Sequence, residues 1–217
     1  THLAGANLLL PRGIAAVKAT HPTLTVVVRE GTPDVLQDAV LTGDLDLMVG
    51  RLQADPPAML RQERLYREPV SLVARVGHPA HVLSEPTLNE LSGYPWILPV
   101  AATTLRRELE GLFAAEGVMI PSNRIECTSM PTLRELLLSA DVIAALPMLI
   151  AVQDPELAII STPLHGLSRP VGVTLPADRP ISPAGEELLR HLRTAAASIE
   201  EEMGAGLNSL DRAHPPA

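Results

Sequence analysis

The sequence predicts an α/β fold made of two units of similar size. Three observations support this prediction. Strand and helix patterns alternate over the first 50 residues, the alternation resumes after Gly77-His78-Pro79, and β-branched runs such as 24–30 have the length of buried strands. Such alternation is typical of a parallel sheet with right-handed crossovers.

Residues 29–51 form one complete strand-helix-strand passage. Thr32 is a good N-cap, Pro33 suits the first helical position, and Gly43 stands where a left-handed C-cap is needed. The apolar face of this helix is predicted from a three-and-four spacing, at Val35, Leu36, Ala39 and Val40. Thr32 and Arg51 follow the ends of neighbouring strands, at the sheet edge where open α/β folds bind ligands.

The other elements of the first unit continue this alternation. The chain begins with a short strand candidate at 3–6 and a helix whose face carries Leu10, Ile14 and Val17 and which ends near His21. Further strands are predicted, in chain order, at 24–30, 46–50, 60–67 and 70–76.

The second unit repeats the architecture without repeating the sequence. Its predicted helices are 88–91, 103–116 and 130–139, and its predicted strands are 96–98, 124–128, 142–146 and 157–161. The chain then returns through a strand at 169–175 and a helix that opens at Ser182 and carries Leu188, Leu192, Ala195 and Ile199 on one face. Residues 204–217 have the composition of a C-terminal tail.

Composition and charge exclude several classes of function for this segment. The net charge is -8, the aromatic content is 2%, and no basic run is present, so the segment is not expected to bind nucleic acid through its own surface. No apolar run has the length of a membrane span and no signal-peptide pattern occurs, which predicts a cytoplasmic protein. Because the chain opens at Thr1 without Met, we expect it to be the body of a longer protein.

No residue cluster predicts a metal, a cofactor or a catalytic centre. Cys127 is the single cysteine, so it cannot form an internal disulfide, and we interpret it as a small buried hydrophobic side chain. In His78-Pro-Ala-His81 the proline forbids the regular helix that would align the two imidazoles. The motifs G-x-S-x-G, H-E-x-x-H, G-x-G-x-x-G and the P-loop are all absent.

The pair Arg106-Arg107 could bind a phosphate, but acidic residues follow it directly. Glu108 and Glu110 come within one helical turn, so a solvated helix surface with i,i+4 pairs is the favoured interpretation.

Four predicted helix starts follow strand ends directly and are the candidate binding positions. They lie at Asn7, Thr32, Thr103-Thr104 and Ser129. Free backbone N–H groups and the helix dipole favour a small anion there, and Arg51 could pair with its carboxylate. The alternative is that Thr32, Thr103 and Ser129 only cap their own helices and that Arg51 is a solvated surface charge.

Several motifs together resemble a known family. They are Gly43-Asp-Leu-Asp-Leu-Met-Val-Gly50, Val73-Ala-Arg-Val-Gly-His-Pro79, Leu10-Pro11, His21-Pro22 and Ala145-Leu-Pro147. With them the chain resembles, over about 3–203, the effector-binding domain of LysR-type transcriptional regulators. Val49-Gly-Arg-Leu52, Thr103-Thr-Leu-Arg-Arg107 and Ala140-Asp-Val-Ile-Ala144 are similar to the subgroup with galactose-linked and protocatechuate-linked regulators, although the usual glycine pair before Ile143 is absent.

The resemblance implies an α/β fold of two Rossmann-like subdomains with a cleft between them, similar to type 2 periplasmic binding proteins. Subdomain I would comprise 1–76 plus 169–203, subdomain II 77–168, with 204–217 as the tail. It also implies a homodimer or tetramer and a winged helix-turn-helix N-terminal to this segment, through which alone DNA is contacted. The effector would lie between the subdomains, at positions matching Asn7, Thr32, Arg51, Thr103, Thr104, Ser129 and Val171.

The expected function is therefore that of a sensor without catalytic activity. A small anionic metabolite, such as a carboxylate from aromatic catabolism or a sugar acid, would bind the cleft and change the geometry of the tetramer on DNA. One alternative is a solute-binding protein of a transporter, which has the same fold. Another is a small enzyme related to prephenate dehydratase or porphobilinogen deaminase, for which no catalytic motif is found.

Overall fold

The computed structural model describes residues 1–2, 7–101, 103–162 and 167–213, with only the backbone described for 205–213. The helices are α1 (Leu9–Thr20), α2 (Pro33–Thr42), α3 (Leu88–Leu91), α4 (Thr104–Ala115), α5 (Met130–Ser139), α6 (Met148–Gln153) and α7 (Pro183–Ala213). The strands are β1 (Met48–Arg51), β2 (Leu60–Arg75), β3 (Trp96–Leu98), β4 (Arg124–Glu126), β5 (Ile143–Pro147), β6 (Leu157–Ile160) and β7 (Ser168–Pro176). A short 3-10 helix spans Pro79–Val82.

The chain divides into two compact units, one formed by Thr1–Glu68 with Arg169–Ala217 and the other by Pro69–Ser168. The chain crosses from the first unit to the second within β2 and returns at the start of β7. Among the helices of the described chain, none is long and apolar enough to span a membrane.

In the first unit, β7 lies between β1 and β2. β1 and β7 are antiparallel, with Gly50 opposite Gly172 and Arg51 opposite Val171. Helix α1 packs on α7 so closely that a Cβ on Gly13 would lie 2.6 Å from a methyl group of Leu192. A helix approach this close needs a residue without a side chain.

Helix α2 forms where its capping signals predict. Thr32 has extended backbone geometry, Pro33 is the first helical residue, and Gly43 takes a φ of 88° in the left-handed region. The predicted apolar face is wrong at one position, because Val35 is exposed while Gln37 is buried beside Leu36 and Val40.

In the second unit, helices cover both faces of a mixed sheet. β3 is parallel to β4 and β5, whereas the second half of β2 is antiparallel to β5 and β6. Side chains alternate along β3, so Trp96 packs with Phe113 of α4, their ring centroids 5.2 Å apart, while Ile97 packs with Leu133 and Leu137 of α5.

The prediction of wholly parallel sheets is wrong. Parallel pairs join β3 to its neighbours, but β7 runs antiparallel to β1, and β2 runs antiparallel to β5 and β6. β2 and β7 are the strands through which the chain passes between units. Neither is the return strand of a simple β-α-β crossover, which is the arrangement that helix-strand alternation predicts.

The two strands predicted at 60–67 and 70–76 are one continuous strand, β2. Pro69 lies between the two predicted strands and, as a proline, donates no ladder hydrogen bond. The strand tolerates it because its pairing changes there: from Val70 onward β2 pairs with β5, and the Val70 N–H bonds to the Leu167 carbonyl at 2.9 Å.

Three further predictions, and one helix that was missed, need comment. Helix α7 continues to Ala213, so the predicted tail is helical as far as the structure describes it, and the sequence indeed has no proline there before Pro215. Helix α6 was not predicted. The strand expected at 24–30 is not among the strands of the described residues, and the strand expected at 3–6 lies outside them.

Candidate functional site

The start of α2 and the end of β1 are connected through Thr1 and His2. The Thr1 hydroxyl donates to the Val49 carbonyl at 2.9 Å, and the Gly31 N–H donates to the Thr1 carbonyl at 3.3 Å. The His2 ring packs on β1 so closely that a Cβ on Gly50 would lie 2.2 Å from Nε2. In the first unit, Thr1 and His2 therefore contact both the segment that precedes Thr32 and the segment that precedes Arg51.

Arg51 is neither a loop residue nor a solvated charge. It is the last residue of β1, its side chain is only 16% exposed, and its Nη2 lies 3.6 Å from Oε2 of Glu68. Glu68 is 4% exposed at its side chain and accepts a hydrogen bond from the Tyr66 hydroxyl at 3.3 Å. The interpretation of Arg51 as a solvated surface charge is therefore wrong, because its side chain is largely buried and its guanidinium faces a buried carboxylate.

The Arg51–Glu68 pair is incompletely satisfied. Within the described chain, Nε of Arg51 and Oε2 of Glu68 are buried and have no hydrogen-bond partner. Burial raises the pKa of Glu68 to about 7, although Arg51 and the Tyr66 hydroxyl both act to lower it. Burial likewise raises the pKa of the Tyr66 hydroxyl above its usual range, so that group stays protonated as a donor. A carboxylate with a pKa this high exchanges its proton close to neutral pH.

The helix start at Thr32 already carries an anion of the chain. The Thr32 side chain makes no cap hydrogen bond to the helix backbone. Instead the Thr32 hydroxyl and the N–H groups of Asp34 and Val35 favour the charged form of the Asp34 carboxylate, which holds the pKa of Asp34 below its usual range. An effector anion at this helix start would have to share these donors with Asp34.

The hydroxyls at the other helix starts serve their own helices. Thr103 accepts from the Arg106 N–H at 3.3 Å and donates to the Val100 carbonyl at 2.9 Å. Ser129 accepts from the N–H of Thr132 at 3.5 Å. The capping role weighed as the alternative is thus present at both residues, and it leaves the remaining N–H groups of α4 and α5 as the donors for a ligand.

The candidate residues divide between the two units. Asn7 lies in the turn before α1 and is half-buried; Val171 is fully buried opposite Arg51, and with Thr32 these residues belong to the first unit. Thr103, Thr104 and Ser129 belong to the second, where the Thr104 hydroxyl accepts from Arg107 at 3.3 Å. Sequence reasoning missed Glu68, Tyr66 and Asp34. The available signal was Tyr66-Arg-Glu68, whose alternation places two polar groups on one strand face.

Arg106 is not the solvated helix residue that its neighbours suggested. It is 4% exposed, and its guanidinium bonds Glu110 at 2.8 Å, Glu126 at 2.9 Å and the Pro99 carbonyl at 3.0 Å. The expected i,i+4 pair with Glu110 is confirmed within α4, whereas the pair with Glu126 fixes α4 to the end of β4.

The other residues weighed for chemistry have structural roles. His78 is buried before the 3-10 helix, where its Nδ1 accepts from the Ala80 N–H, and burial lowers the pKa of its ring. Cys127 packs against the α5 side of the second-unit core. In the part of the chain that the structure describes, no group of three or more His, Cys, Asp or Glu side chains could hold a metal ion.

Residues 2–197 match the family model described as the LysR substrate binding domain. The chain belongs to this family. Two similar proteins are the HTH-type transcriptional regulators GalR of Pseudomonas putida, 30% identical over 87% of this chain, and PcaQ of Agrobacterium fabrum, 31% identical over 88%. This LysR-family domain spans 48% of GalR and 63% of PcaQ, so the regulators it matches are considerably longer.

Solved structures agree with this LysR-family domain in fold. The BenM effector binding domain with its effector benzoate is 20% identical, with a TM-score of 0.69 over 88% of this chain and 87% of that one. The regulatory domain of Synechocystis CcmR in complex with 2-PG is 18% identical, with a TM-score of 0.71 over 86% and 90%. The predicted periplasmic-binding-protein-like α/β fold of an effector-binding domain is thereby confirmed.

Proposed function

We propose that the chain is the ligand-sensing domain of a bacterial transcription regulator. The observation that carries this proposal is the family match over residues 2–197, supported by relatives named as HTH-type transcriptional regulators. The longer relatives support the further expectation that DNA is contacted through an N-terminal domain outside this segment. Because these relatives are regulators, a solute-binding protein or a small enzyme is the weaker candidate.

The effector we propose is a small anion, in particular a carboxylate such as an aromatic-catabolism intermediate or a sugar acid. Arg51 supports this choice because it is partly exposed and its Nε has no partner among the described residues. Benzoate, the effector of BenM, is such a carboxylate. The proposed contacts come from both subdomains, which we place at 1–76 with 169–203 and at 77–168: Asn7, Thr32, Arg51, Thr103, Thr104, Ser129 and Val171.

The mechanism we propose is a population shift without catalysis. An effector that contacts both subdomains stabilises one conformation of the domain, by at most its difference in affinity for the two conformations. In a homodimer or tetramer this bias would change how the DNA-binding domains are presented.

The test is calorimetric titration of the purified domain with benzoate, protocatechuate, galactonate and their ring-cleavage or oxidation products. We expect Arg51→Ala to weaken binding of the acid by about a hundredfold, because a charge-assisted hydrogen bond contributes about 3 kcal/mol. Arg61→Ala is the control, since Arg61 is an exposed arginine on β2. If Arg51→Ala binds as tightly as the wild type, the assigned carboxylate partner is wrong.

The second unit is tested by Thr103→Val, with Thr87→Val as its control. Both threonines are N-caps that accept from a backbone N–H of their helix, but Thr87 lies outside the proposed site. Each variant should lose about 1 kcal/mol of stability. Only Thr103→Val should also weaken effector binding, and equal affinities for the two variants would remove the Thr103 side chain from the proposed site.

A further inference from the structure

The two members of the Arg51–Glu68 pair differ in their access to solvent. The Arg51 side chain is 16% exposed, whereas that of Glu68 is 4% exposed. Their closest atoms are 3.6 Å apart, which is longer than a hydrogen bond, and each residue has a buried polar atom without a partner in the described chain. The pair is therefore loose, and an incoming anion reaches Arg51 before it reaches Glu68.

A second carboxylate bound at Arg51 would favour the neutral, protonated form of Glu68. Two carboxylates would then share one guanidinium, and the repulsion between them favours the neutral form of the more buried one. The more buried carboxylate is that of Glu68. Its Oε2 has no hydrogen-bond partner among the described residues, so once the 3.6 Å ion pair with Arg51 is given up this atom is available to take a proton.

The charged neighbours do not supply a substitute for Arg51. Tyr66 of β2 is a neutral donor, and Arg12 of α1, which acts on Tyr66, is already bound by Glu202 of α7 at 2.6 Å. His2 lies beside Arg51, but burial lowers its pKa to about 4 and it is neutral at physiological pH. Arg51 is the cation that acts on Glu68 within the described residues, so its loss to an effector removes that partner from the Glu68 carboxylate.

We propose that an effector carboxylate replaces Glu68 as the partner of Arg51, and that Glu68 takes a proton from solvent onto Oε2 as it is displaced. Effector binding then consumes about one proton and strengthens as the pH falls. Because the pKa of Glu68 in the free domain is about 7, protonating its carboxylate near neutral pH requires little free energy. This inference rests on the proposed function, specifically on Arg51 as the carboxylate partner.

The experiment is calorimetry of the same panel of acids in buffers of different ionisation enthalpy, which counts the protons taken up on binding. For the wild type we expect uptake to approach about one proton per acid at about pH 8 and to be small at about pH 6, where Glu68 is already protonated. Over this range the affinity should fall by about tenfold for each pH unit above 7.

Two variants test whether Glu68 is the residue that takes up the proton. Glu68→Gln should bind the acid with no proton uptake and with little dependence on pH. Glu63→Gln, on the same strand, should behave as the wild type, because the Glu63 carboxylate is bound by Arg193 and its pKa lies below the usual range. The proton count on the wild type needs no variant, so the test survives if Glu68→Gln fails to fold.

The outcomes separate the two proposals. An acid that binds the wild type without proton uptake above pH 7 overturns the exchange and leaves the proposed function standing. Unchanged uptake in Glu68→Gln overturns the assignment of the proton to Glu68. If no acid of the panel binds even below neutrality, where a protonated Glu68 should release Arg51, the proposed carboxylate site and the exchange both fail.

Discussion

The carbonyl oxygen of Glu63 lies 2.0 Å from the position that a Cβ on Gly172 would occupy. β2 and β7 therefore approach each other at a point where only glycine fits, and the opposing atom is backbone, which cannot rotate away. We expect Gly172→Ala to lower the free energy of unfolding by about 3 kcal/mol or more, the upper range for overpacking. Chemical denaturation of the purified domain measures this loss.

The control is Gly111→Ala in α4. No heavy atom lies within 4 Å of the Cβ that this variant would add, and Gly111 is in the interior of a helix. Alanine there should stabilise the domain by about 1 kcal/mol through helix propensity. A Gly172→Ala variant as stable as the wild type would show that β2 and β7 do not approach this closely.

Glu68 should make the stability of the domain decline with rising pH. Its folded pKa of about 7 lies above the unfolded value of 4.5, so the folded state binds the proton more tightly. The stabilisation is fully present below pH 4.5 and is lost as the pH rises through 7, by up to about 3 kcal/mol. We expect the stability of the wild type relative to Glu68→Gln to fall over this interval; a constant difference would contradict it.

His2 should make the stability of the domain increase with rising pH, the opposite of the effect of Glu68. Burial lowers the pKa of its ring from 6.5 to about 4, so the unfolded chain binds the proton more tightly. The stabilisation is present above pH 6.5 and is lost as the pH falls toward 4, again by up to about 3 kcal/mol. His2→Asn should remove this acid sensitivity, whereas His21→Asn, at a half-exposed position, should retain it. Unfolding curves at a series of pH values measure both.

Local signals predicted α2 well and the strand partners poorly. Pro33 and Gly43 act within their own helix, so their roles follow from residue type and spacing, and Thr32 occupies the N-cap position although its hydroxyl makes no cap hydrogen bond. The continuity of β2 through Pro69 depends on a change of ladder partner, and its antiparallel pairing depends on β5, far along the chain. No short window of sequence contains that information.

The candidate site divides in the same way. The helix starts at Thr103 and Ser129 could be predicted because a hydroxyl before an apolar helical pattern is a local capping signal. Alternation could place Glu68 on one strand face with Tyr66, but it could not show that the Glu68 carboxylate is buried, because a glutamate is normally exposed and its partner Arg51 lies on another strand. The Asp34 carboxylate at the start of α2 was available from its position in the first helical turn, where acidic residues are favoured.

Arg106 and Arg107 are adjacent in α4 but should respond differently to substitution. Arg106 is buried and bonds two carboxylates and the Pro99 carbonyl, whereas Arg107 is exposed and bonds the Thr104 hydroxyl. Because Glu110 and Glu126 are partly exposed and can be rehydrated, we expect Arg106→Met to cost about 2 kcal/mol rather than the full cost of an unpaired buried charge. Arg107→Met should stay within about 0.5 kcal/mol of the wild type. Equal denaturation midpoints for the two variants would contradict a structural role for Arg106 and favour the original interpretation as a solvated helix residue.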